Sequence, residues 1–338
     1  MTASTPCVTI GLPVYNGEKY LPQTLESLLV QTYTDFELVI SDNASTDATE
    51  EICRAYAEKD RRIRYVRAEK NLGAVWNYNR AFELARGRYF QWASHDDLWA
   101  PTFLEACVNA LNADHDRVLA LPQVAVIDSE GHRIIADQSQ RGSDYEIMTD
   151  DLLPGRRDNL ESDRPHRRYF GILVQTIRCQ EIYGLIRSDA LRRSGLMRAY
   201  TNSEKTLLAE LALMGKIHEP PEVLYFSRWH DERYSNSHDA EFKNEHFVTD
   251  KPKTKKRRQF VWPHQPRCMA GYFAVIFTTR IGVLDRLRCL GSFAGFLLQA
   301  KRWKSVISRM VKGTTMTVDI PENARRGEQV VTATETTT

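Results

Sequence analysis

Residues 88–99 read Arg88-Tyr89-Phe90-Gln91-Trp92-Ala93-Ser94-His95-Asp96-Asp97-Leu98-Trp99, and the parsing of that stretch decides the fold. Its first half is aromatic and free of breakers, the composition of a buried β-strand. His95-Asp96-Asp97 stands at the exit of that strand, and Ala100-Pro101 then opens a helical pattern. Two neighbouring carboxylates beside a buried strand repel each other, and desolvation adds to the cost. A hard divalent cation relieves it, since Mg²⁺ or Mn²⁺ takes one or two carboxylates together with a substrate's phosphates. The competing reading is that Asp96 or Asp97 only caps the next helix.

Upstream, Val8 to Tyr15 is a strand stopped by proline, and Asn16-Gly17 is a turn. Leu21, Leu25, Leu28 and Leu29 then form one apolar helical stripe. Phe36 to Asp42 is a second strand, and Asp47 with Glu50 has the spacing of a helix-capping pair. Ile63 to Arg67 is a third strand. Ala74, Tyr78, Ala81, Phe82 and Ala85 share the face of a helix closed by Gly87. Strands alternating with helices across short loops predict an α/β fold with a doubly wound, mostly parallel sheet flanked by helices. Ligands of such sheets gather at the carboxyl ends of the strands. Asp42 and Asp96-Asp97 both lie there, which favours a site over a cap.

Downstream, Thr102 to Asn112 reads as a helix, Val118 to Ile127 as one strand, and Asp128-Ser129-Glu130-Gly131 as a hairpin turn. Residues 138–168 are polar and poor in periodicity: a functional loop acting as a lid, on the acceptor side if the resemblance described next holds, or a surface insert. Ile182 to Arg187 is a strand and Ala190 to Gly195 a short helix. Tyr200 to Lys205 leads into the apolar helix of Leu207 to Leu213. Glu222 to Phe226 is the next strand and runs into Ser227-Arg228-Trp229-His230.

Five ordered motifs carry a family resemblance. They are Leu12 to Gly17, Val39 to Asp47, Asn71-Leu72-Gly73, Ala85 to Tyr89 and His95-Asp96-Asp97. In this succession the chain, over roughly residues 7–235, resembles the family-2 glycosyltransferases, which have the GT-A fold. The resemblance implies an inverting transfer of a sugar from a UDP- or dTDP-sugar to a saccharide or lipid-linked saccharide acceptor, in surface glycan biosynthesis. On that likeness Asp97 is the direct ligand of Mn²⁺ or Mg²⁺. Asp96 contacts ribose or sugar, or supports the ion, and His230 completes the metal shell or touches the diphosphate. Asp42 accepts from the imide N–H of uracil or thymine. Pro13, Tyr15 and Glu18 wall the base and ribose, and Asn71, Asn79 and Arg80 form a polar patch towards the nucleotide. Arg228 neutralises diphosphate charge. Glu204, where aspartate is common, is the general base that takes the acceptor's proton.

Plainer readings stand beside these: Tyr15 as core, Asn71 as a turn residue, Glu204 as a helix-start acid, Arg228 in an ion pair and His230 as structural. A non-catalytic nucleotide-sugar-binding relative is the main alternative. A sugar nucleotidyltransferase is disfavoured, because residues 13–18 lack a glycine-rich first loop.

Composition adds bounds. The 338 residues carry 46 Lys and Arg against 44 Asp and Glu, a net charge of +2 that hides an asymmetry. Between Lys251 and Lys312 there are fifteen basic residues and one acid, Asp285, interleaved with aromatics. Such helices lie on anionic membrane surfaces, dock on the main domain, or bind nucleic acid, for which no motif is present. The expected organisation is thus a GT-A domain over residues 1–235, a basic amphipathic helical extension over 236–312, and a disordered polar tail over 313–338. Six scattered cysteines and a start without a signal-peptide pattern point to a cytoplasmic protein, peripheral on the inner membrane face where the extension binds lipid.

Overall fold

A strand buried along its whole length needs cover on both faces, and Val8–Val14 (β1) is such a strand. In the computed structural model, which describes residues 6–135, 156–176, 179–230, 264–299 and 325–329, it forms the middle of the larger sheet. After it come α1 (Leu21–Leu29), β2 (Phe36–Asp42), α2 (Thr49–Lys59), β3 (Ile63–Arg67), α3 (Ala74–Glu83), β4 (Tyr89–Trp92) and β5 (Leu98–Trp99). The chain continues through α4 (Phe103–Ala113), β6 (Arg117–Ala120), β7 (Gln123–Ile127), β8 (His132–Ile135), α5 (Arg156–Leu160) and α6 (Pro165–Gln175). Next are β9 (Leu185–Arg187), α7 (Ser188–Arg193), α8 (Ser203–Met214), β10 (Lys216–His218) and β11 (Val223–Arg228). The last elements are α9 (His264–Thr278), α10 (Val283–Leu297) and β12 (Arg325–Gln329).

Seven strands in the order β10-β6-β9-β4-β1-β2-β3 make the larger sheet. β1 pairs in parallel with β2 on one side and β4 on the other, and β9 alone runs against its neighbours. The connections from β1 therefore reverse direction between β1 and β4, which opens a crevice at their carboxyl ends. A second sheet, β12-β8-β7-β11-β5, stands over that end. Asn77 of α3 ties the crevice floor together. Its amide donates to the carbonyls of Ser41 (2.8 Å) and Val14 (3.3 Å) and accepts from the Ser41 hydroxyl (2.7 Å).

Four expectations need correction. Val118 to Ile127 is two strands in two sheets, because Pro122 lacks the N–H that would continue one ladder. The capping pair is split. Asp47 accepts the Thr49 amide (3.1 Å), but Glu18 rather than Glu50 takes the amide of Ala48 (2.8 Å), while Glu50 pairs with Arg54 and Arg67. The expected loop of 138–168 ends in helix from Arg156 onward. There Arg168 is buried, with Nε donating to the Ala212 carbonyl (2.7 Å) and Nη2 to that of Leu213 (3.5 Å) at the end of α8; residues 136–155 lie outside the described ones. Of the tail expected to lack structure, Arg325–Gln329 pair with β8, an edge whose backbone groups accept a strand of almost any side chains.

The inner faces of α9 and α10 belong to the main core. Cys268, Tyr272, Val275, Ile276, Cys289 and Phe296 are buried within the same cluster as β1 and α8, and the Tyr169 hydroxyl donates to the Tyr272 carbonyl (2.7 Å). None of the six cysteines forms a disulfide. We predict that Asn77→Ala, which strands two carbonyls and a hydroxyl in a site only 3 % exposed, lowers stability by about 2 kcal/mol. Urea unfolding would show a lower midpoint at unchanged slope.

Candidate active site

The acidic loop leaves β4 at Trp92 and is held by α1, whose Thr24 hydroxyl lies 3.0 Å from the carbonyl of His95 and 2.9 Å from that of Asp97. The chain then enters β5, which pairs antiparallel with β11: Trp99 faces Tyr225 and Leu98 faces Phe226. That pairing decides which aspartate points where. Asp97 is fully buried; its Oδ1 accepts the Arg228 amide (2.8 Å) and its Oδ2 the hydroxyl of Tyr225. Asp96, in the bend before β5, is buried as well but has different partners. Its Oδ1 accepts from the Ser94 hydroxyl, and its Oδ2 is 3.0 Å from Nε2 of His230. Asp96 and His230 thus converge, while both carboxylate oxygens of Asp97 carry bonds to β11.

Arg228 does not face the cleft either. It is fully buried, and its Nε donates to the Asp96 carbonyl (2.7 Å), Nη1 to the carbonyls of Asp128 (3.2 Å) and Ser129 (3.0 Å), and Nη2 to Gln23 Oε1 (2.8 Å). Burial lowers its pKa, and the guanidinium lies 4.8 Å from the centre of the Tyr20 ring, against which His230 also packs. Nearby, Asp128, Glu130 and His132 cluster on the β7–β8 turn, where Asp128 closes the turn by accepting the amides of Glu130 and His132, both at 2.9 Å.

On the nucleotide side the expected contact residues mostly hold loops. Asp42 is fully buried; its Oδ1 accepts from the Ser45 amide (2.9 Å) and hydroxyl (2.6 Å), and its Oδ2 from the Tyr65 hydroxyl (2.6 Å). Glu18 and Asp47 clamp two loops reciprocally, since the Glu18 amide donates to Asp47 Oδ2 (3.0 Å). Asn71 is a turn residue: its Oδ1 accepts from the Gly73 amide and from Asn43 Nδ2, both at 2.9 Å. Asn79 grips Met197 at both backbone groups, at 3.0 and 3.1 Å. Pro13 is buried in β1, and Tyr15 is half-buried just past its end. Arg80 lies half-buried over the Trp76 ring (4.9 Å), its pKa lowered by burial and raised in part by the charge of Asp42.

Glu204 opens the first turn of α8, where the helix dipole favours a negative carboxylate. Burial dominates nevertheless and raises its pKa, against a weaker opposing hydrogen bond from its own amide. Tyr78 of α3 bridges the two halves of the site. Its hydroxyl lies 3.3 Å from that of Tyr183, and burial together with the charges of Asp96, Glu204 and Asp97 pushes its pKa up to about 12. The carboxylate of α8 and the Asp96 loop thus act on one hydroxyl group. The sequence reading placed Tyr78 on an apolar helix face; an aromatic that alternates with Asn77 and Asn79 was the available signal.

The sequence model described as glycosyl transferase family 2 matches residues 9–175. Over those residues the chain belongs to that family. A putative teichuronic acid biosynthesis glycosyltransferase of Bacillus subtilis is 39 % identical over 105 residues, which are 31 % of this chain and 42 % of that one. The chain spans about half the length, or less, of the curated relatives it matches. Among solved structures, S. aureus TarS residues 1–349 with UDP superposes with a TM-score of 0.51 at 16 % identity, covering 96 % of this chain and 99 % of that one. The mannosyltransferase PcManGT of Pyrobaculum calidifontis, solved with GDP-Man and Mn²⁺, gives 0.54 at 16 % identity over 93 % and 77 % of the two chains. The fold of this family 2 chain is GT-A, a mixed α/β sheet flanked by helices.

The two aspartates should separate in a stability assay. Asp97→Ala strands the Arg228 amide and the Tyr225 hydroxyl and should cost about 2–4 kcal/mol. Asp96→Ala removes a buried carboxylate held by the Ser94 hydroxyl and His230 and should cost less, about 1–2 kcal/mol.

Proposed function

We propose that this chain is a metal-dependent, inverting glycosyltransferase that moves a sugar from a UDP- or dTDP-sugar to a hydroxyl of a saccharide or lipid-linked saccharide. The reading is supported by the Asp96–His230 pair, 3.0 Å apart beyond the end of β4, and by Glu204 at the start of α8, whose charge acts with that of Asp96 on the Tyr78 hydroxyl. The name of the Bacillus relative supports surface polysaccharide as the acceptor class. A lipid-linked acceptor would put the chain at the inner face of the cell membrane.

The residues fit a cation. Asp96 Oδ2 and His230 Nε2 are 3.0 Å apart, which is roughly the spacing of adjacent ligands on an octahedral ion with ~2.1 Å bonds. An imidazole suits the harder Mg²⁺ less well, so Mn²⁺ is the better match of the two. Asp96 and His230 would hold the ion, which when bound would neutralise charge on a departing diphosphate. Glu204 takes the proton of the acceptor hydroxyl as its oxygen attacks the anomeric carbon. The bond from that carbon to the diphosphate breaks on the opposite face, its electron pair leaving with the phosphate oxygen. Tyr78, Tyr183 and Tyr225 line the space between base and acidic loop and limit water there. Base and ribose lie along Pro13 and Tyr15, on loops set by Glu18, Asp42 and Asn71, and Asn79 holds the segment leading to α8. Arg80 is the cation of this group nearest the nucleotide side. Arg228 acts from behind the acidic loop rather than on the diphosphate.

Three outcomes test this. Donor hydrolysis should require Mn²⁺ or Mg²⁺, and Asp96→Asn or His230→Gln should weaken Mn²⁺ binding by about tenfold or more. A chain that hydrolyses no nucleotide-sugar with either ion but still binds one would be a non-catalytic relative. Glu204→Gln should abolish turnover while donor binding survives. The raised pKa fixes two signs. Turnover should fall as pH drops through a value above the ordinary glutamate range. The folded-state pKa also lies above the unfolded one, so the stability this group contributes is present at low pH and lost as pH rises through the folded value. Glu204→Gln should therefore melt higher than the parent at neutral pH, the opposite of losing a structural acid.

A further inference from the structure

We propose that the α9–α10 hairpin is a two-faced membrane anchor, docked on α6 and α8 by one face and seated on anionic lipid headgroups by the other. Its inner stripe, Cys268, Tyr272, Val275 and Ile276, follows helical spacing into the core. A second apolar stripe runs along the outside. Phe273 is 44 % and Phe277 49 % exposed on α9, and Leu284 is 59 %, Leu287 60 % and Leu298 81 % exposed along α10. All the large hydrophobic side chains left exposed among the described residues belong to this hairpin. Nothing stands within reach of a side chain added at Gly291 or Gly295, so the outer surface of α10 is open as well as apolar.

Charge decides what covers it. Arg280 and Arg288 are exposed beside the apolar stripe, and the hairpin's one acid, Asp285, lies 3.3 Å from Arg288. Arg286 caps α9 by donating to the Ile276 carbonyl (3.1 Å) and leans over Phe277 (5.9 Å). An apolar face rimmed by arginines, inside a stretch with fifteen basic residues and one acid, complements a surface of lipid tails under anionic headgroups. No helix among the described residues is long and apolar enough to cross a membrane, so the hairpin lies on the surface rather than through it.

The hairpin also adjoins the acceptor side of the site, and this half of the inference rests on the transferase reading. The Cys268 thiol donates to the Thr201 carbonyl (3.4 Å), and a Cβ at Gly271 would collide with the Tyr200 hydroxyl and Thr206. The backbone of α9 is therefore flush with the segment that carries Glu204. The lipid face and the base are separated by about one helix diameter, ~10 Å, close enough for a headgroup-linked saccharide to reach the base from the bilayer.

The test is sedimentation of the full chain with vesicles of phosphatidylcholine containing phosphatidylglycerol, against vesicles of phosphatidylcholine alone. Binding is expected to the anionic vesicles only, and weaker in high salt. Phe277→Ser with Leu287→Ser should reduce it by about tenfold or more, and each of Arg280→Gln and Arg288→Gln by about fivefold. All four side chains are exposed, so melting temperature and hydrolysis of a soluble donor should not change. The proposal is overturned if the parent chain binds no vesicles at low salt, or if the variants bind as tightly as the parent. It is overturned equally if the Ser variant only dissolves a concentration-dependent dimer, which would make the face an interface between copies. A chain that binds vesicles but hydrolyses no donor would retain the anchor and lose the transferase reading.

Discussion

The guanidinium of Arg228 is buried outright, and a buried cation is tolerated only where its donors are met. Here they are met by Gln23 of α1, by the carbonyl of Asp96 and by the carbonyls of Asp128 and Ser129 on the β7–β8 turn. Three segments far apart in sequence are thereby fixed to the end of β11. The same residue's amide holds Asp97 from the inside, next to an Asp96 that pairs with His230. Removing the guanidinium would strand four acceptors at once and loosen the acidic loop against both sheets. The geometry of the proposed cation site is thus a consequence of a buried ionic network that touches no ligand.

The same division of labour recurs on the nucleotide side. Glu18 with Asp47, Asn43 with Asn71, and Asn79 with the backbone of Met197 each join two loops across the crevice rim. A site that must hold a flexible, charged donor gains from loops whose positions are set beforehand, because less ordering is then left to binding. Side chains used in this way are not available to the ligand. On the proposed reading, recognition would fall to the loop backbones, to Pro13 and Tyr15, and to the half-buried Arg80.

The alternation of apolar strands and helices was readable from residue patterns, and so was the gathering of acids at strand ends, because both follow from periodicity and turn chemistry. What could not be read was which of two adjacent aspartates faces inward. That depends on β11, some 130 residues later, pairing with β5. Nor could the sequence separate loop-holding polar residues from ligand-facing ones, since turns and ligands both call for Asn, Asp and Glu. The run Arg164-Pro165-His166-Arg167-Arg168 looked like loop because its charge hid the helix. The carbonyls at the end of α8, together with that of Ser162, give Arg168 a reason to be buried.

Glu204 connects these threads. A carboxylate at a helix N-terminus should be a weak base, and it becomes a stronger one only where burial outweighs the dipole. α9 packs beside it: Cys268, close enough for its thiol to feel the charge of Glu204, donates to the Thr201 carbonyl just before α8. The C-terminal helices then pack beside the proposed base, and a boundary drawn at residue 235 would cut through one hydrophobic core. If the outer face of the same hairpin rests on lipid, the helix that desolvates the base also meets the phase that carries the acceptor. Proton affinity and acceptor access would then be set by one element, and a change in how that hairpin docks would alter both together.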